Sequence, residues 1–441
     1  DLVVMDEASQ VRPVEALGAI ARAEQLVVVG DDKQLPPTSF FDRVAGDDAE
    51  LGEEEEDFQA SDVESILGLC AAQRMPDRML RWHYRSQHES LIAVSNVEFY
   101  KKLFIVPSAE SEDLGLRFTK VKGEYDRGKS ATNRKEARAI ANAVIQHARR
   151  YRSSDRYPEG MSLCVGAFSV NQRDAILDEL ELLWRDNPDL ASFFGTDTAE
   201  PFFVKNLEAI QGDERDVVMI SVGFGPDSDG YMTMGFGPLS QQGGERRLNV
   251  LISRARRRCE VFSSITAADI DLARTQSVGV RVLKTFLQYA ENGYLDRPQV
   301  SDRPIDSDFE EDVGNALARL GYAVQHQVGV AGFFVDLAIK DPAQPGRYLI
   351  GIECDGATYH SSRSARDRDR LREQVLVARG WRIHRIWSTD WFKRRNNELT
   401  RMIAAIEAAR ANPPEAPKLA AATAPRASNP QAPAAGNSDA G

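Results

Sequence analysis

Two short apolar runs, each breaking off into an acidic and polar string, constrain the fold of this chain more tightly than anything else in it. Leu2, Val3, Val4 and Met5 lead into Asp6, Glu7, Ala8 and Ser9, and Leu26 to Val29 lead into Gly30, Asp31, Asp32, Lys33, Gln34, Leu35, Pro36, Pro37 and Thr38. Runs this short and apolar read as strands of a parallel sheet, whose carboxyl ends are where ligand chemistry collects. Two adjacent carboxylates at such an end suit a magnesium ion and a water, with Asp6 helping to hold the metal and Glu7 polarising the water. Taken alone, an acidic strand end is more often solvated than catalytic, and a Gly/Pro-punctuated string is a surface turn.

The whole second string resembles motif III of superfamily-one helicases, in which a glutamine senses the terminal phosphate of the nucleotide; Gln34 is the match. The resemblance continues in family order. Leu80, Arg81, Trp82, His83, Tyr84, Arg85, Ser86 and Gln87 look like motif IV, with Arg85 as a first arginine finger. Ile210, Gln211, Gly212, Asp213 and Glu214, ahead of the apolar run Val217 to Ser221, look like motif V. That makes Gln211, Gly212 and Glu214 nucleotide contacts, Glu214 towards the ribose. Arg247 to Arg256 look like motif VI, with Arg254 as second finger. Arginine suits such positions because its planar fork stays charged and pairs with phosphate oxygens as charge develops. Read singly, Arg85 is a structural ion pair and Arg254 to Arg258 a solvated face. The resemblance implies ATP as cofactor.

The phosphate-cradling loop of that family should precede Asp6, and the chain opens in mid-motif without a methionine, which leads us to expect a missing N-terminal portion of the same polypeptide. Gly123, Glu124, Tyr125, Asp126, Arg127, Gly128, Lys129 and Ser130 match the loop pattern literally. We reject that match: Glu124 and Asp126 would place like charge inside a polyanion cradle, the order is wrong, and Asn133 to Arg149 reads as a helix after a surface turn.

The 441 residues, 42 % of them hydrophobic, are enough for about three domains. No segment is apolar enough to span a membrane, and Cys70, Cys164, Cys259 and Cys354 have neither disulfide-framework nor zinc spacing, so a reducing, cytoplasmic setting is expected. A net charge of −12 argues against indiscriminate adhesion to nucleic acid but leaves room for a local basic channel. Acid concentrates in Asp47 to Asp57, read as a solvated loop, while Arg254 to Arg258 and Lys393 to Arg395 are basic stretches that read equally as phosphate contacts or plain surface. The expected division is 1–75 and 76–295 for two motor domains, 296–306 for a polar linker with Pro298, Ser301 and Pro304, 307–410 for a third unit, and 411–441 for a disordered Ala/Pro-rich tail.

In the third unit, Ser307 or Asp308 can cap a helix with the apolar face Phe309, Val313, Ala316, Leu317 and Leu320, ended by Gly321; Glu310 lies at the edge of that face and Glu311 points away. Strands are expected around Tyr322 to Val328, Phe333 to Lys340 and Tyr348 to Asp355, then a helix near Ser364 to Arg379 and a strand Trp381 to Trp387. Period two sets Asp336 opposite Val335 and Leu337, and puts Glu353 and Asp355 on one face. This αβββαβ order, with Ile352, Glu353, Cys354, Asp355, Gly356, Tyr359 and His360, resembles the PD-(D/E)XK restriction-endonuclease-like superfamily, its very-short-patch-repair-like branch above all. The resemblance implies Asp336 and Glu353 as ligands of Mg2+, or Mn2+, at a phosphodiester-cleaving site that Glu310 supports. The family lysine is replaced by Asp355; His360, Arg363 or Arg366 would substitute for it, or Asp355 adds a metal carboxylate. Solvated acids on an edge strand are the plain alternative.

The expectation is thus an α/β chain: two RecA-like motor domains, the first incomplete, plus a restriction-endonuclease-like domain. It would act as an ATP-dependent helicase coupled to an endonuclease, on nucleic acid with DNA as first choice, in defence or repair. The alternatives are a helicase with an inactive nuclease-fold clamp, and a scaffold with a degenerate motor.

Overall fold

The computed structural model describes residues 1–37, 65–109, 114–151, 160–195, 198–293, 308–330, 333–344, 346–355 and 372–412 of the 441. The acidic stretch Asp47 to Asp57, the linker, the Ala/Pro-rich tail and the beginning of the helix expected from Ser364 lie outside the described residues.

The opening apolar runs form strands β1 (Leu2–Met5) and β2 (Gln25–Val28), paired in parallel as expected, with Leu2 opposite Gln25 and Met5 opposite Val28. Helices Pro13–Ile20 and Ile66–Ala72 pack beneath them through Ala8, Ala16 and Ile66.

A five-stranded, all-parallel sheet follows, built from β3 (Gly115–Lys120), β4 (Leu163–Ala167), β5 (Phe203–Asn206), β6 (Arg215–Ser221) and β7 (Ala255–Ser263) in the order β3-β7-β6-β4-β5. Strands β4 and β6 are buried throughout, because the sheet is covered on both faces. Alternation divides them cleanly. Leu163, Val165, Ala167, Val217 and Met219 meet helices Arg134–Arg150 and Val170–Arg185 on one side. Cys164, Val218 and Ile220 meet helices Gly244–Ile252 and Val278–Asn292 on the other. Gly166 is needed for that fit, since a Cβ there would stand 2.3 Å from Cδ1 of Leu251. This is the doubly wound parallel sheet expected of a RecA-like domain. The rejected loop match is indeed a turn: Ser130 donates its hydroxyl to Asp126, and the helix begins later, capped by Asn133.

At the carboxyl ends of β6 and β7, Glu136 is fully buried and accepts hydrogen bonds from the Ser221 hydroxyl (2.7 Å), the Gly223 amide (2.6 Å) and the Ser264 hydroxyl (3.2 Å). Burial outweighs these bonds and raises its pKa to about 7. A carboxyl that titrates higher in the folded than in the unfolded chain stabilises most below its ordinary pKa and loses that stability as pH rises towards 7. Glu136→Gln, whose amide oxygen can still accept from Ser221 and Gly223, is therefore expected to flatten the fall in melting temperature between pH 5 and 8, worth on the order of 2 kcal/mol. Thermal melts of both proteins across that range check it.

The third sheet runs β11-β10-β9-β8, from β8 (Val324–Val330), β9 (Phe333–Lys340), β10 (Tyr348–Asp355) and β11 (Ile383–Trp387), with only β10–β11 parallel. Helix Asp308–Arg319 covers it with Phe309, Val313 and Leu317. Two boundaries shift from expectation. Strand β8 starts at Val324 because the helix ends in a turn through Gly321, at φ +89°. Strand β11 starts at Ile383 because Gly380, at φ +85°, closes the preceding helix and Trp381 is diverted into a core. Helix Ser388–Ala411 was not anticipated; its Trp391, Met402 and Ile406 complete the core of this unit, and it kinks at Arg394. Among the described residues no helix is long and apolar enough to cross a membrane.

Candidate functional site

Residues from four of the sequence strings meet between the opening strands and the carboxyl end of helix Gly244–Ile252. Arg254, 2 % exposed, is held by Nε to the Val250 carbonyl at 2.8 Å and reaches Oε1 of Gln34 at 3.0 Å. The Gln34 amide in turn donates to Asp31 at 2.9 Å, and Asp31 also accepts from the Tyr100 hydroxyl at 2.6 Å. Asn249 closes the ring, donating to the Lys33 carbonyl at 2.9 Å and meeting the Tyr100 hydroxyl at 3.0 Å. The Arg254 pKa falls to about 10, first through burial, then through the like charge of Arg85; Glu7, Tyr100 and Glu214 oppose that fall. Arg85, Arg254 and Glu7 therefore share one electrostatic neighbourhood.

Arg85 pairs with Glu214, Nε to Oε2 at 2.6 Å, and its fork approaches the Ser253 carbonyl at 3.4 Å. Glu214, expected near a ribose, is thus occupied by Arg85, with Arg256 3.6 Å from its other oxygen. Gln211 carries a buried side-chain Nε2 with no hydrogen-bond partner, and Gly212 next to it, at φ +83°, has open space where a Cβ would be. Asp6 accepts from the Glu7 amide at 2.9 Å, and Glu7 itself is a non-glycine residue at φ 51°. The remaining arginines of the basic run are not a free phosphate-binding face: Arg256 is bound to Glu200 and Asp216, and Arg258 to Glu260. Arg395 in the later basic run forks onto Asp312 at 2.6 and 2.7 Å.

An orphaned buried amide, an unfilled glycine approach and two arginines within reach fit a nucleotide here. Sequence reasoning missed Asn249 and Tyr100; Asn249 lies inside the motif VI string and was legible as a polar residue in an apolar helix stretch, whereas Tyr100 carried no signal. It also passed over a cavity of about 340 Å³ beside the strand ends, lined by Tyr125, Arg127, Ser169, Asn171, Phe224 and Thr233. Tyr125 and Phe224 rings stand 5.1 Å apart there.

The second cluster lies on β9 and β10. Asp336 accepts the Cys354 amide at 2.8 Å, and Glu353, 7 % exposed, meets Arg372 at 3.3 Å. Glu310 is buried and receives the Gln327 amide at 2.8 Å. Burial raises the pKa of both Asp336 and Glu353; Glu310 and Asp355 add to it at Asp336, and Asp336 and Asp355 at Glu353. Asp355, in the family's lysine position, pairs with Arg385 at 3.2 Å. The sequence reading missed Arg372, Arg385 and Gln327; none belongs to the quoted motif. His360, Arg363 and Arg366 lie outside the described residues. The set is rich in the hard oxygen donors a divalent cation takes, although among the described residues no three His, Cys, Asp or Glu side chains stand together as a metal group.

The family described as AAA domain matches twice, as AAA_11 over residues 1–41 and AAA_12 over 63–266, and the restriction-endonuclease family REase_MTES_1575 matches 309–406. The chain carries helicase-family AAA domains of the superfamily-one type and a restriction-endonuclease-like domain. An uncharacterized ATP-dependent helicase of Mycoplasma pneumoniae is 27 % identical over 416 residues, and one of Mycoplasma genitalium 29 % identical over 420, each alignment covering 89 % of this chain and 35 % of the relative. A 5'-3' DNA helicase of Mus musculus is 27 % identical over 281 residues, 60 % of this chain and 13 % of that protein. The chain thus spans about a third of the length of its Mycoplasma relatives, at 35 %.

Proposed function

We propose that this chain is part of an ATP-dependent nucleic-acid helicase or translocase whose motor is joined to a metal-dependent DNA endonuclease. Residues 1–75 would contribute to the first motor domain, 76–295 form the second, and 307–410 form the nuclease. The observation that carries the motor reading is the 3.0 Å bond from Arg254 to Gln34, because it ties the glutamine of one string to the finger of another across 220 positions of sequence. The relatives' names as ATP-dependent helicases support it.

ATP, when bound, would supply the phosphoryl group and its developing charge. Gln34 would report that group to Arg254 by exchanging one hydrogen-bond partner for another, and Glu7 would take a proton from the attacking water. Arg85 would leave Glu214 for phosphate, an exchange of one charge-assisted bond for another. Gln211 would direct its unpaired Nε2 to the nucleotide, with Gly212 letting the backbone approach and Asp6 helping to hold magnesium. Nucleic acid would cross the strand ends near the half-buried ring of Tyr125, where stacking needs no base preference.

For the nuclease, Asp336 and Glu353 would hold a divalent cation, which would supply water activation; two carboxylates whose pKa burial raises gain most from such an ion. Glu310, held by the Gln327 amide, would add its charge beside Asp336, Arg372 would bring the positive charge that Asp355 does not, and His360 would be the proton carrier. A clamp without cleavage is the second reading, favoured by the Asp355–Arg385 pair in place of a lysine. Cleavage of DNA in magnesium by wild type, lost by at least about a hundredfold in Asp336→Ala, supports the nuclease. Binding that persists while no metal gives cleavage makes the domain a clamp.

A further inference from the structure

The loop that carries Arg85 is held from two sides. From the motor, the Gln87 amide donates to the Arg256 carbonyl at 2.7 Å and the Ser86 hydroxyl to the Ala255 carbonyl at 3.4 Å, both on β7. From the endonuclease-like unit comes Arg379, at the end of the helical segment before β11. Its guanidinium donates to the main-chain carbonyls of Ser86, Tyr84 (3.0 Å) and His83 (3.3 Å). These three carbonyls bracket Arg85. Burial lowers the pKa of Arg379, with the Glu89 charge opposing. A buried guanidinium is costly unless its donors are met, and here the donors go to one loop's backbone.

The joint around it is built to stay. Trp381, 2 % exposed, stacks on Tyr348 with centroids 5.3 Å apart and donates Nε1 to the Pro107 carbonyl at 2.9 Å. The Tyr348 amide donates to the Ala109 carbonyl at 3.0 Å, and Val106 and Ala109 share a core with Val335, Ala338 and Leu376. Inside the loop, His83 accepts the Ser86 amide on Nε2 at 3.1 Å, and burial with the charges of Arg85 and Arg379 lowers its pKa to about 3, so the ring stays neutral and the bond persists.

We propose that Arg379, supplied by the endonuclease-like domain, is a positioning residue for Arg85, so that the motor's first arginine finger is set only while that domain is docked. The inference rests on the reading of Arg85 as a nucleotide contact. It makes the nuclease unit part of the ATPase, and gives the nuclease a mechanical report of whether Arg85 sits on Glu214 or on phosphate.

The test is a double-mutant cycle in a polypeptide that contains this chain and turns over ATP. Arg379→Ala is expected to lower kcat by about tenfold with KM for ATP within about twofold, and Arg85→Ala to lower kcat further; the double variant should equal Arg85→Ala, because both act through one group. Arg379→Lys, whose ammonium cannot fork across three carbonyls, should recover part of the loss, and it carries the cycle if the alanine variant does not fold. Multiplying effects, or a folded Arg379→Ala with normal kcat, would overturn the inference while leaving the nucleotide site intact. A normal kcat in Arg85→Ala would remove the nucleotide-site reading and this inference with it.

Discussion

Arg254→Ala should lower ATP turnover by about a thousandfold, with Arg254→Lys only partly better. The side chain is buried at 2 % exposure, and its fork is already aimed: Nε is fixed to the Val250 carbonyl, and a terminal nitrogen rests on Gln34. Fixing one end removes rotamer freedom before the nucleotide arrives, so the charge costs little reorganisation when it meets phosphate. Fingers supplied this way are worth roughly 10³ or more in kcat. Lysine keeps the charge but cannot hold Val250 and reach forward together. Steady-state kinetics check the fall, and Gln34→Ala should share part of it because it removes the resting partner.

The second large effect is on stability. Trp391→Ala is expected to destabilise the endonuclease-like domain by about 3–5 kcal/mol, the range for a buried tryptophan. The ring is fully buried in the core that helix Ser388–Ala411 completes. Its Nε1 donates to Asp312 at 2.9 Å, the same carboxylate that Arg395 grips with both nitrogens, and Arg395 lies 4.8 Å over the ring. Burial together with the Arg395 and Trp391 hydrogen bonds fixes this end of the helix to helix Asp308–Arg319, and Asp312 titrates below the ordinary carboxylate value mainly for those bonds. Removing the ring leaves a cavity and strips Asp312 of a donor at once. Chemical denaturation of the wild type and the variant measures the cost.

What could be read from the sequence was what depends on local pattern. The strands at Phe333–Lys340 and Tyr348–Asp355 fall where the apolar runs placed them, and Asn133 caps the helix that follows the rejected loop match. The motor fold was legible through the order of the quoted motifs, and of its sheet only Val217 to Ser221, the later part of β6, stood out as an apolar run. Helix Ser388–Ala411 was not, since its apolar residues are sparse among Lys393, Arg394, Arg395, Asn396 and Asn397, and it kinks at Arg394. Contacts that join distant positions were beyond any window: Asn249 with Tyr100, Arg372 with Glu353, and Arg379 with the loop at His83 to Ser86. The basic run from Arg254 misled for the same reason, because the partners of Arg256 come from elsewhere in the chain, Glu200 from the segment before β5 and Asp216 from β6.

The most direct test of the account is ATP turnover by a polypeptide containing this chain, measured with and without single-stranded DNA. Hydrolysis that DNA stimulates and Arg254→Ala abolishes is the predicted result. Hydrolysis that ignores DNA and survives Arg254→Ala would contradict it, leaving the Gln34–Arg254 junction as packing and the chain without a nucleic-acid motor.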